Sequence, residues 1–566
     1  MIMNTMDIPT SVPCGVGTLA RLRKRERGST LAAVLIILAV LVSGLGSYLS
    51  SIRSIWNLQE QRIMDDRAQM AAEAGLAKAI SKLWVLIAPP IANTVWNLSV
   101  PSADFWPFQT VTVNIYPTTI GSQQAWTIVS TSVSDATDKR HQAIARRVQA
   151  MFLMDNFAKY EFFVNNYGGV WGPGWYQFEG FGSTYLGLYH VNTGIAFWPN
   201  FWANKEVTSA ASGGVRYFAD WSTYNVYGDP AANNYVNILN YYSSTWSQSP
   251  KFYGGITTLP APISLPADMN TDARAVKLRQ NDGLTLPAGY SGYDSTKGAN
   301  FTVDIVSATS NPADSQVVVK QYLGKSGSVP LYGSTRTYNI NGINNSMIVY
   351  GNISSLKGTL NGKLTIAAMK SATVSGTGAI DITGDLQYKS RMANAEFQYA
   401  DSAALYTANG ADINQAAVDG LLNQANTVTD SLGLISEKDI LIKERDLDGN
   451  RIAAGTAVYV DATVMAKGAN SGTADGGQFG PENPQTRPIG TCYIFGGSVQ
   501  NYQNFWAQYS GSTQTNGLQA VRLWDKRNYQ QGGGPPNFPT TGNLILYAQS
   551  YRSGYVKNAT DTPLLP

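Results

Sequence analysis

The stretch Arg21–Tyr48 reads RLRKRERGSTLAAVLIILAVLVSGLGSY and decides the N-terminal architecture of this 566-residue chain. A cluster of basic residues is followed by Gly28, and no charged residue occurs in the 24 positions from Ser29 to Ile52. As a helix this run is roughly 36 Å long at about 1.5 Å per residue, enough to cross a hydrocarbon core of about 30 Å. A basic flank stays on the cytoplasmic side of a membrane. The sequence therefore predicts that the large C-terminal part is exported.

The helical pattern continues beyond the apolar run. Apolar residues follow one helical face at Ile52, Trp56, Ile63, Met70, Ala74, Ala77 and Trp84. A single rod from Ser29 to about Leu83 would be roughly 80 Å long. No Ala-x-Ala cleavage site separates the apolar run from the helix that follows, as a common secretory signal would require. An ordinary signal anchor is the alternative interpretation.

Two motifs carry a resemblance to a known family. Residues 25–31, RERG followed by STL, resemble the leader-peptidase site of type IV pilins and type II secretion pseudopilins. Residues 64–76 are similar to the AAEAG stretch of PilX-type pilus-assembly proteins and of the largest minor pseudopilins, and they include Glu73 and Gly75. The resemblance implies cleavage by a prepilin peptidase after Gly28, which makes Ser29 the new N-terminus. It also implies the inner membrane and other pilins or pseudopilins as partners.

One position departs from the family pattern. Major pilins carry Glu at the fifth mature position, where the carboxylate neutralises a terminal amine inside the apolar bundle, whereas this chain has Ala33. An uncompensated ammonium group in apolar surroundings is costly. We therefore expect a minor, priming or tip subunit. Gly44 and Gly46 weaken the helix locally, which fits either loosening on assembly or ordinary membrane packing.

Composition bounds the class of protein. Removing the leader takes five Lys or Arg from 41 and two Asp or Glu from 38, which leaves 36 of each and a formally neutral mature chain. This neutrality gives no general electrostatic argument for nucleic-acid binding. Cys14 lies in the leader, so Cys492 would be the lone mature cysteine and no intramolecular disulfide is expected. Only 14% of residues are charged, which suits an exported β-rich protein.

The chain is long enough for several domains. We expect an α+β, mainly β fold with a leader at 1–28, a transmembrane pilin-like helix at 29–84 and a small β head at 85–155. An aromatic-rich β region at 156–345 and a β-helical domain at 346–566 follow, the latter with a helical insertion near 411–430. The head strands are predicted at 110–116, 125–131 and 143–152, after a turn-rich neck at 85–105.

Short strands and turn glycines recur every 10–20 residues or so in the second half of the chain, a spacing that favours a right-handed parallel β-helix. A β-sandwich gives similar local patterns and stays open. The C-terminal third also resembles a β-helical domain of unassigned function found behind pilin-like stems. That resemblance rests on residues 362–368, 432–440, 460–466, 496–501 and 535–539, and it implies a scaffold with no known reaction.

Residues suited to chemistry are sparse. Only His141 and His190 occur, the first in a charged turn and the second after a predicted strand. The usual nitrogen–sulfur zinc site is therefore not expected, and no Gly-Lys-Ser/Thr phosphate loop is present. We expect no enzymatic activity and no cofactor.

Two carboxylate patterns leave alternatives open. Asp446, Asp448 and Asn450 offer closely spaced oxygen ligands as a calcium loop does, but without EF-hand spacing, and a hairpin turn is the preferred interpretation. Asp381 and Asp385 suit the acid pair of a β-helix lyase or glycosidase, which requires converging carboxylates in a groove. Exposed turn residues would give the same pattern.

Aromatic residues crowd the region from 171 to 202, together with Gly and Asn. We name Trp171, Trp175, Trp198 and Trp202 as candidate contacts for a ligand or partner, because exposed aromatic patches mark interaction sites. The preferred interpretation is that these rings fill the core at the end of the β-helix.

These observations favour one functional hypothesis over two alternatives. The chain is expected to be a minor pilin-like component of a type IV pilus or type II secretion-like filament, anchored in the bacterial inner membrane. Its β-rich body would be displayed at the tip or cell surface, where attachment to surface glycans or a host surface is an option. The alternatives are a membrane-anchored β-helix enzyme acting on polysaccharide and a signal-anchored adhesin unrelated to pili.

Overall fold

The structure is a computed structural model that describes most of the chain. Described are residues 29–85, 90, 92–100, 110–120, 123–133, 145–165, 177–179, 184–192, 195–197, 201–210, 215–218, 226–227, 251–275, 278–279, 283–307, 311, 315–394, 397–399, 405, 413–452, 457–468, 476–510, 513–530, 533–546 and 552–555. Within them the fold is mainly β with one long N-terminal apolar helix, as the sequence predicts.

Helix α1 (Ser29–Val85) is continuous over 57 residues, or about 85 Å at 1.5 Å per residue. The segment Leu31–Leu83 is the one helix in the described residues that is long and apolar enough to cross a membrane, judged by length and composition. Its apolar side chains are largely exposed up to Ile63, and one face of the helix is buried from Ala68 onward. The predicted long helix is therefore confirmed.

A small antiparallel sheet packs on the C-terminal third of α1. Its first strands are β1 (Thr94–Ser99), β2 (Thr110–Ile120), β3 (Gln123–Val133) and β4 (Ala145–Asn156), in that spatial order. Strand β1 lies in the segment predicted as a turn-rich neck, so that prediction is wrong for residues 94–99. Burial alternates along β1, with Trp96 and Leu98 more buried than Val95 and Asn97, which matches the two-residue period of a strand.

A first group of short strands follows the head. These are β5 (Tyr160–Val164), β6 (Gln177–Glu179), β7 (Thr184–Tyr185), β8 (Leu188–Val191), β9 (Ile195–Phe197), β10 (Trp202–Ala203), β11 (Val207–Ala210), β12 (Val215–Phe218), β13 (Val226–Tyr227), β14 (Lys251–Phe252) and β15 (Ile256–Leu259). Strands β6, β9 and β12 pair in parallel, as do β7, β10 and β14. Strand β8 pairs in parallel with β11, and β11 with β15.

The longer strands of the second half come next. They are β16 (Leu284–Leu286), β17 (Asn300–Ser307), β18 (Ser315–Ser326), β19 (Val329–Tyr332), β20 (Arg336–Asn339), β21 (Ser346–Tyr350), β22 (Asn352–Leu360), β23 (Lys363–Met369), β24 (Ile380–Tyr388), β25 (Ser431–Ser436), β26 (Ile440–Ile442), β27 (Ala457–Asp461), β28 (Thr463–Ala466), β29 (Phe479–Pro481), β30 (Gly490–Gly496), β31 (Ser498–Gln500), β32 (Ala507–Ser510), β33 (Thr513–Trp524), β34 (Thr540–Leu546) and β35 (Arg552–Tyr555).

Short helical elements lie between these strands. The α-helices are α2 (Lys389–Met392) and α3 (Gln415–Gln424), and the 3-10 turns span Phe157–Lys159, Ala273–Ala275, Ser295–Lys297, Asn341–Ile343, Ala425–Thr427 and Lys526–Tyr529. Helix α3 occupies the middle of the predicted insertion at 411–430. The Asn414 side chain accepts from the Ala417 N–H at 3.3 Å and caps its N-terminus.

Two large sheets form the β body. The first is ten-stranded and parallel throughout, in the order β15-β11-β8-β5-β31-β28-β25-β23-β21-β16. The second is twelve-stranded, and its central strands β17, β22, β24, β27, β30 and β33 pair in parallel. From β21 to β31 the chain alternates repeatedly between the two sheets. Their facing side chains form one large apolar core that includes Ile366, Leu434, Ile382 and Val460.

Strand order in the ten-stranded sheet departs from chain order at one seam. Strand β5 lies beside β31, so Phe163 pairs with Val499 across 336 residues of sequence. Strands β34 and β35 then return to the small sheet and pair antiparallel with β4. The last described strands therefore belong with the head, a return that the sequence pattern did not indicate.

Candidate functional site

The interface between α1 and the head sheet is built from small residues. Ala68, Ala71, Ala72 and Ala79 are fully buried against the sheet, in one cluster with Val111, Val113 and Ile128. A Cβ atom at Gly75 would lie 2.4 Å from Val111 Cγ2 and 2.5 Å from Ser130 Oγ. Gly75 therefore permits a close approach of helix and sheet that no larger residue would allow without movement.

Polar contacts fix the helix on this sheet. Ser132 Oγ donates to the Ala68 carbonyl at 2.6 Å. The Asp65 carboxylate pairs with the Arg146 guanidinium through two hydrogen bonds, and the two side chains are only 19% and 14% exposed. Such bidentate, half-buried pairs add geometric specificity. The helix and the head are therefore joined by both apolar and ionic contacts.

The N-terminal part of α1, from Leu31 to Ile63, is largely exposed. Ser29 is the first residue of the helix, and Gly28 lies outside the described residues. Ala33, Gly44 and Gly46 lie in the exposed stretch, and a Cβ at either glycine would meet no atom within 4 Å. Glu73 is half-buried and accepts from Gln69 Nε2 at 3.0 Å. The structure thus assigns Gly75, but neither of the other two glycines, to a packing role within the chain.

The predicted aromatic platform falls largely outside the described residues. Trp171, Trp175 and Trp198 lie outside them. Trp202 is 4% exposed and belongs to the large apolar core with Leu186. Burial of this ring removes Trp202 from the candidate ligand contacts and agrees with the core interpretation.

The Asp446–Asn450 segment is a tight turn held by its own groups. Asp446 Oδ1 accepts from the Asn450 N–H at 2.8 Å, and its Oδ2 accepts from Asn450 Nδ2 at 3.0 Å. Asp448 is exposed, and Gly449 has φ of +89°. The candidate ligand atoms of Asp446 are therefore engaged within the turn. No three His, Cys, Asp or Glu among the described residues come together where they could hold a metal ion.

His190 lies inside β8, which corrects its predicted position after a strand. Its Nδ1 lies 2.7 Å from Thr208 Oγ1, and its Nε2 lies 2.8 Å from Asn192 Oδ1. Burial lowers the pKa of His190 to about 4, so the ring is neutral near pH 7. The ring packs on Phe163 with centroids 4.8 Å apart. His141 lies outside the described residues.

Asp381 and Asp385 lie in one strand, β24, and not in turns as the exposed-turn interpretation assumed. Both point to the outer face of the twelve-stranded sheet, since Ile380, Ile382 and Leu386 fill the core. Asp385 accepts from the Tyr459 N–H at 3.0 Å, whereas Asp381 lies 3.9 Å from Lys443 Nζ. Burial raises the pKa of Asp381 to about 6.

Lys443 links Asp381 to a third carboxylate. Its Nζ forms an ion pair with Glu482 Oε1 on the neighbouring strand connection. The Glu482 Oε2 also accepts from the Glu444 N–H at 3.2 Å. This cluster places two carboxylates around one ammonium group on the outer face of the sheet, where the opposite charges neutralise each other in part.

A buried ionic cluster was not predicted from the sequence. Asp461 is fully buried and accepts from Tyr388 N at 2.8 Å, Tyr399 Oη at 2.8 Å and Arg391 Nε at 2.5 Å. The Arg391 guanidinium lies over the Tyr459 ring at 5.4 Å. These contacts fasten the segment after β24 to the sheet. Asp461 follows Val460 in an ordinary strand pattern, so no local signal marked it.

A second buried carboxylate lies at the seam between β5 and β31. Glu161 is 2% exposed, and its Oε2 accepts from the Gly187 N–H at 2.5 Å. Its Oε1 finds no hydrogen-bond partner among the described residues. Burial raises the pKa of Glu161 to about 7, against the opposing influence of Gly187 N–H and the Arg522 charge. Ionisation of this residue therefore works against the folded state near neutral pH.

Cys492 is buried in the core of the β body and forms no disulfide with any described residue. Burial raises the pKa of its thiol to about 12. A thiol in this setting is unreactive, since the thiolate is the nucleophile.

Comparisons with known proteins give little further information. No protein-family model matches the chain. No curated protein matches it either. Among solved structures, the chain is similar to the competence-associated pilin ComZ from Thermus thermophilus, with 14% identity over 87% of this chain and 98% of that one. The TM-score of 0.25 is too low to indicate a shared fold.

Proposed function

We propose that the chain is a minor pilin-like structural component of a type IV pilus or type II secretion-like filament. The observation that carries this proposal is helix α1, which is uncharged from Ser29 to Ile52, stays largely exposed to Ile63, and then packs on the head through small residues. An exposed apolar helix needs a bilayer or other helices around it. The basic cluster before Gly28 supports an inner-membrane location with the C-terminal part exported.

The finer assignments extend this proposal. A prepilin peptidase would cleave after Gly28, and the PilX-type resemblance at residues 64–76 suits a minor subunit. The absence of a carboxylate at Ala33 supports a priming or tip position over a repeating one. We infer that assembly and presentation, without catalysis or a cofactor, are what the chain performs.

We further propose that the β body is a right-handed parallel β-helix serving as the presented domain. The alternation of successive strands between two parallel sheets supports this architecture. A β-sandwich is built from antiparallel sheets, so the parallel pairing argues against that alternative. Display of the body at the tip or surface would bring it to glycans or a host surface, and adhesion is the role we assign to it.

A membrane-anchored polysaccharide-active enzyme is the second candidate. The favouring observation is the Asp381, Lys443 and Glu482 cluster on the outer sheet face, with the raised pKa of Asp381. Glycosidases use two such carboxyl groups with different pKa values. Release of reducing ends from surface polysaccharide by the full chain, and its loss in Asp381→Asn, would favour this candidate over presentation alone.

The test of the pilin route is the mature N-terminus. Mass spectrometry of the membrane-extracted chain is expected to find Ser29 first and N-methylated. Gly28→Phe should leave a longer, unassembled form, because a large ring replaces the small residue at the cleavage site. Gly17→Phe, inside the leader but away from the site, is the control and should be processed normally. A chain that assembles with residue 1 intact would contradict the proposal and favour a signal-anchored adhesin.

A further inference from the structure

The described strands form two halves that one covalent link joins. The first half contains the head strands β1–β4 and the strands β5–β15, and the second half runs from Ile263 onward and contains β16–β35. Only three pairings among the described strands connect the halves: β31 lies beside β5, and β34 and β35 lie beside β4. The other pairings of these strands stay within one half. The chain is therefore built from two pieces that meet along two strand edges.

Both edges of the first half depend on the second half for a partner strand. On β4, residues 152–156 pair with β34, and residues 146–149 pair with β35. On β5, residues 162–164 pair with β31. An edge without its partner exposes backbone N–H and carbonyl groups, which are a template for pairing with another chain. The first half thus presents edges that the second half of this same sequence fits in register.

The link between the halves is short and exposed. It consists of Pro260, Ala261 and Pro262, which are all exposed, and the two prolines have no N–H to donate. Beyond the link the chain is fastened to the second half, since Glu437 accepts from the Met269 N–H at 3.0 Å and Asn270 Nδ2 donates to the Lys370 carbonyl at 2.9 Å. A short link between two paired parts is an arrangement that favours exchange of identical parts between copies.

We propose that two copies of this chain exchange their second halves, so that the second half of one copy completes the head and the first strands of the other. The exchange needs no new surface, because each contact between the halves forms again in the dimer. One such contact is the pair of 2.7 Å hydrogen bonds between the Ile263 backbone and the Asn192 side chain. The inference goes beyond the proposed function and uses only its membrane anchor, which confines the copies to one plane and raises their local concentration.

Single cysteines on the two sides of the seam between β5 and β31 test the exchange in the full chain in its native membrane. Asn165→Cys and Asn501→Cys are placed in separate, differently tagged copies that are expressed together, with Cys14→Ser and Cys492→Ala as background. Asn165 Nδ2 lies 2.9 Å from Asn501 Oδ1, so cysteines at these positions are close enough for a disulfide. A mild oxidant then joins cysteines of different copies where the halves are exchanged.

A matched pair within the second half is the control. Asn352 Nδ2 lies 3.1 Å from Asn300 Oδ1, and both residues are half-buried. Separate copies with Asn300→Cys and Asn352→Cys meet only by chance, because exchange moves both positions together. The seam pair should give at least about fivefold more covalent dimer than the control pair, since exchange brings only the seam cysteines to disulfide geometry.

A chain that carries both Asn165→Cys and Asn501→Cys gives the opposite reading. Equal dimer yields from the seam and control pairs, with an intrachain disulfide in a monomer of this double variant, would overturn the exchange.

The chain without introduced cysteines gives an independent measurement. Light scattering in mild detergent should find a dimer, and a short Gly/Ser insertion after Ala261 should shift it toward the monomer, because a longer link lets each second half fold back on its own copy. A monomeric chain, or a dimer that the insertion leaves unchanged, would also overturn the exchange.

Failure of the inference is separable from failure of the proposed function. A chain that begins at Ser29 and gives no exchange would overturn the inference and leave the pilin route standing. Exchanged copies that retain residue 1 would overturn the pilin route and leave the exchange in place.

Discussion

Replacing Glu161 with Gln should change how the stability of the β body depends on pH. The carboxylate is buried at the seam between β5 and β31, where Gly187 N–H is its short hydrogen-bond donor. The folded state raises the pKa of Glu161 from 4.5 to about 7. A carboxyl group with a raised folded pKa favours folding while it is protonated. Stability is therefore lost as pH rises from about 4.5 through about 7.

The size of the effect follows from the shift. A rise of about 2.5 pKa units at about 1.4 kcal/mol each gives roughly 3 kcal/mol between pH 4 and pH 8. An amide cannot ionise, so the Glu161→Gln variant lacks this loss. The new amide adds a constant cost of about 1–3 kcal/mol if one N–H stays unpaired. This cost is the same at every pH, so it does not affect how the difference in unfolding free energy between variant and wild type changes with pH.

Urea unfolding of the full chain in detergent, followed by tryptophan fluorescence at pH 5 and pH 8, measures this difference. The free energy of unfolding of Glu161→Gln relative to wild type should rise by about 2.5 kcal/mol between these two pH values, because a small part of the loss already occurs below pH 5. Asp419→Asn, on an exposed face of α3, is the control, because it removes a carboxylate that lies outside the seam. A Glu161→Gln difference that is flat across this range, or falls with pH, would refute the reasoning.

Three further predictions concern the helix, the ionic cluster and the turn. Gly75→Leu should destabilise the packing of α1 on the head by about 2 kcal/mol or more through overpacking, detected as faster proteolysis between helix and head, whereas Gly44→Ala should not. Tyr399→Phe should cost about 1–2 kcal/mol in urea unfolding, since the buried Asp461 loses one donor; an unchanged midpoint would contradict the role of this bond. Calcium chelation should leave the thermal midpoint unchanged while Asp446→Ala lowers it, because the Asp446 carboxylate closes its own turn; a midpoint that rises with added calcium would show a metal site instead.

Local patterns were sufficient for the helix and for most strands of the head. The uncharged run from Ser29 and the later apolar periodicity specify one helix. Both patterns are set by residues within about two helical turns of each other, so a local reading of the sequence finds them. Alternation in β2, β3 and β4 identified those strands for the same reason. Strand β1 was missed because Pro89, Pro90 and Pro101 around it suggested turns.

Contacts between distant segments could not be read from the sequence. The Asp461 carboxylate accepts hydrogen bonds from Arg391 and Tyr399, which lie some 60–70 residues away in sequence. Nothing in its own strand distinguishes it from an exposed residue. Asp381 likewise acquires its setting from Lys443 and Glu482. Trp202 looked like part of an exposed group only because the strands that bury it are remote in sequence. Side-chain roles of this kind depend on tertiary pairing.

The pairing of β5 with β31 has a consequence for how this chain folds as it is made. Because a chain is made from its N-terminus, the strands between Tyr160 and Leu259 are present before β31. Strand β5 therefore has no partner on that side until residues near Val499 have been made. Such long-range pairing is slow to form, and an unpaired strand edge invites association with other chains in the meantime. The rate at which the chain emerges would then govern the yield of this protein more strongly than its final stability does.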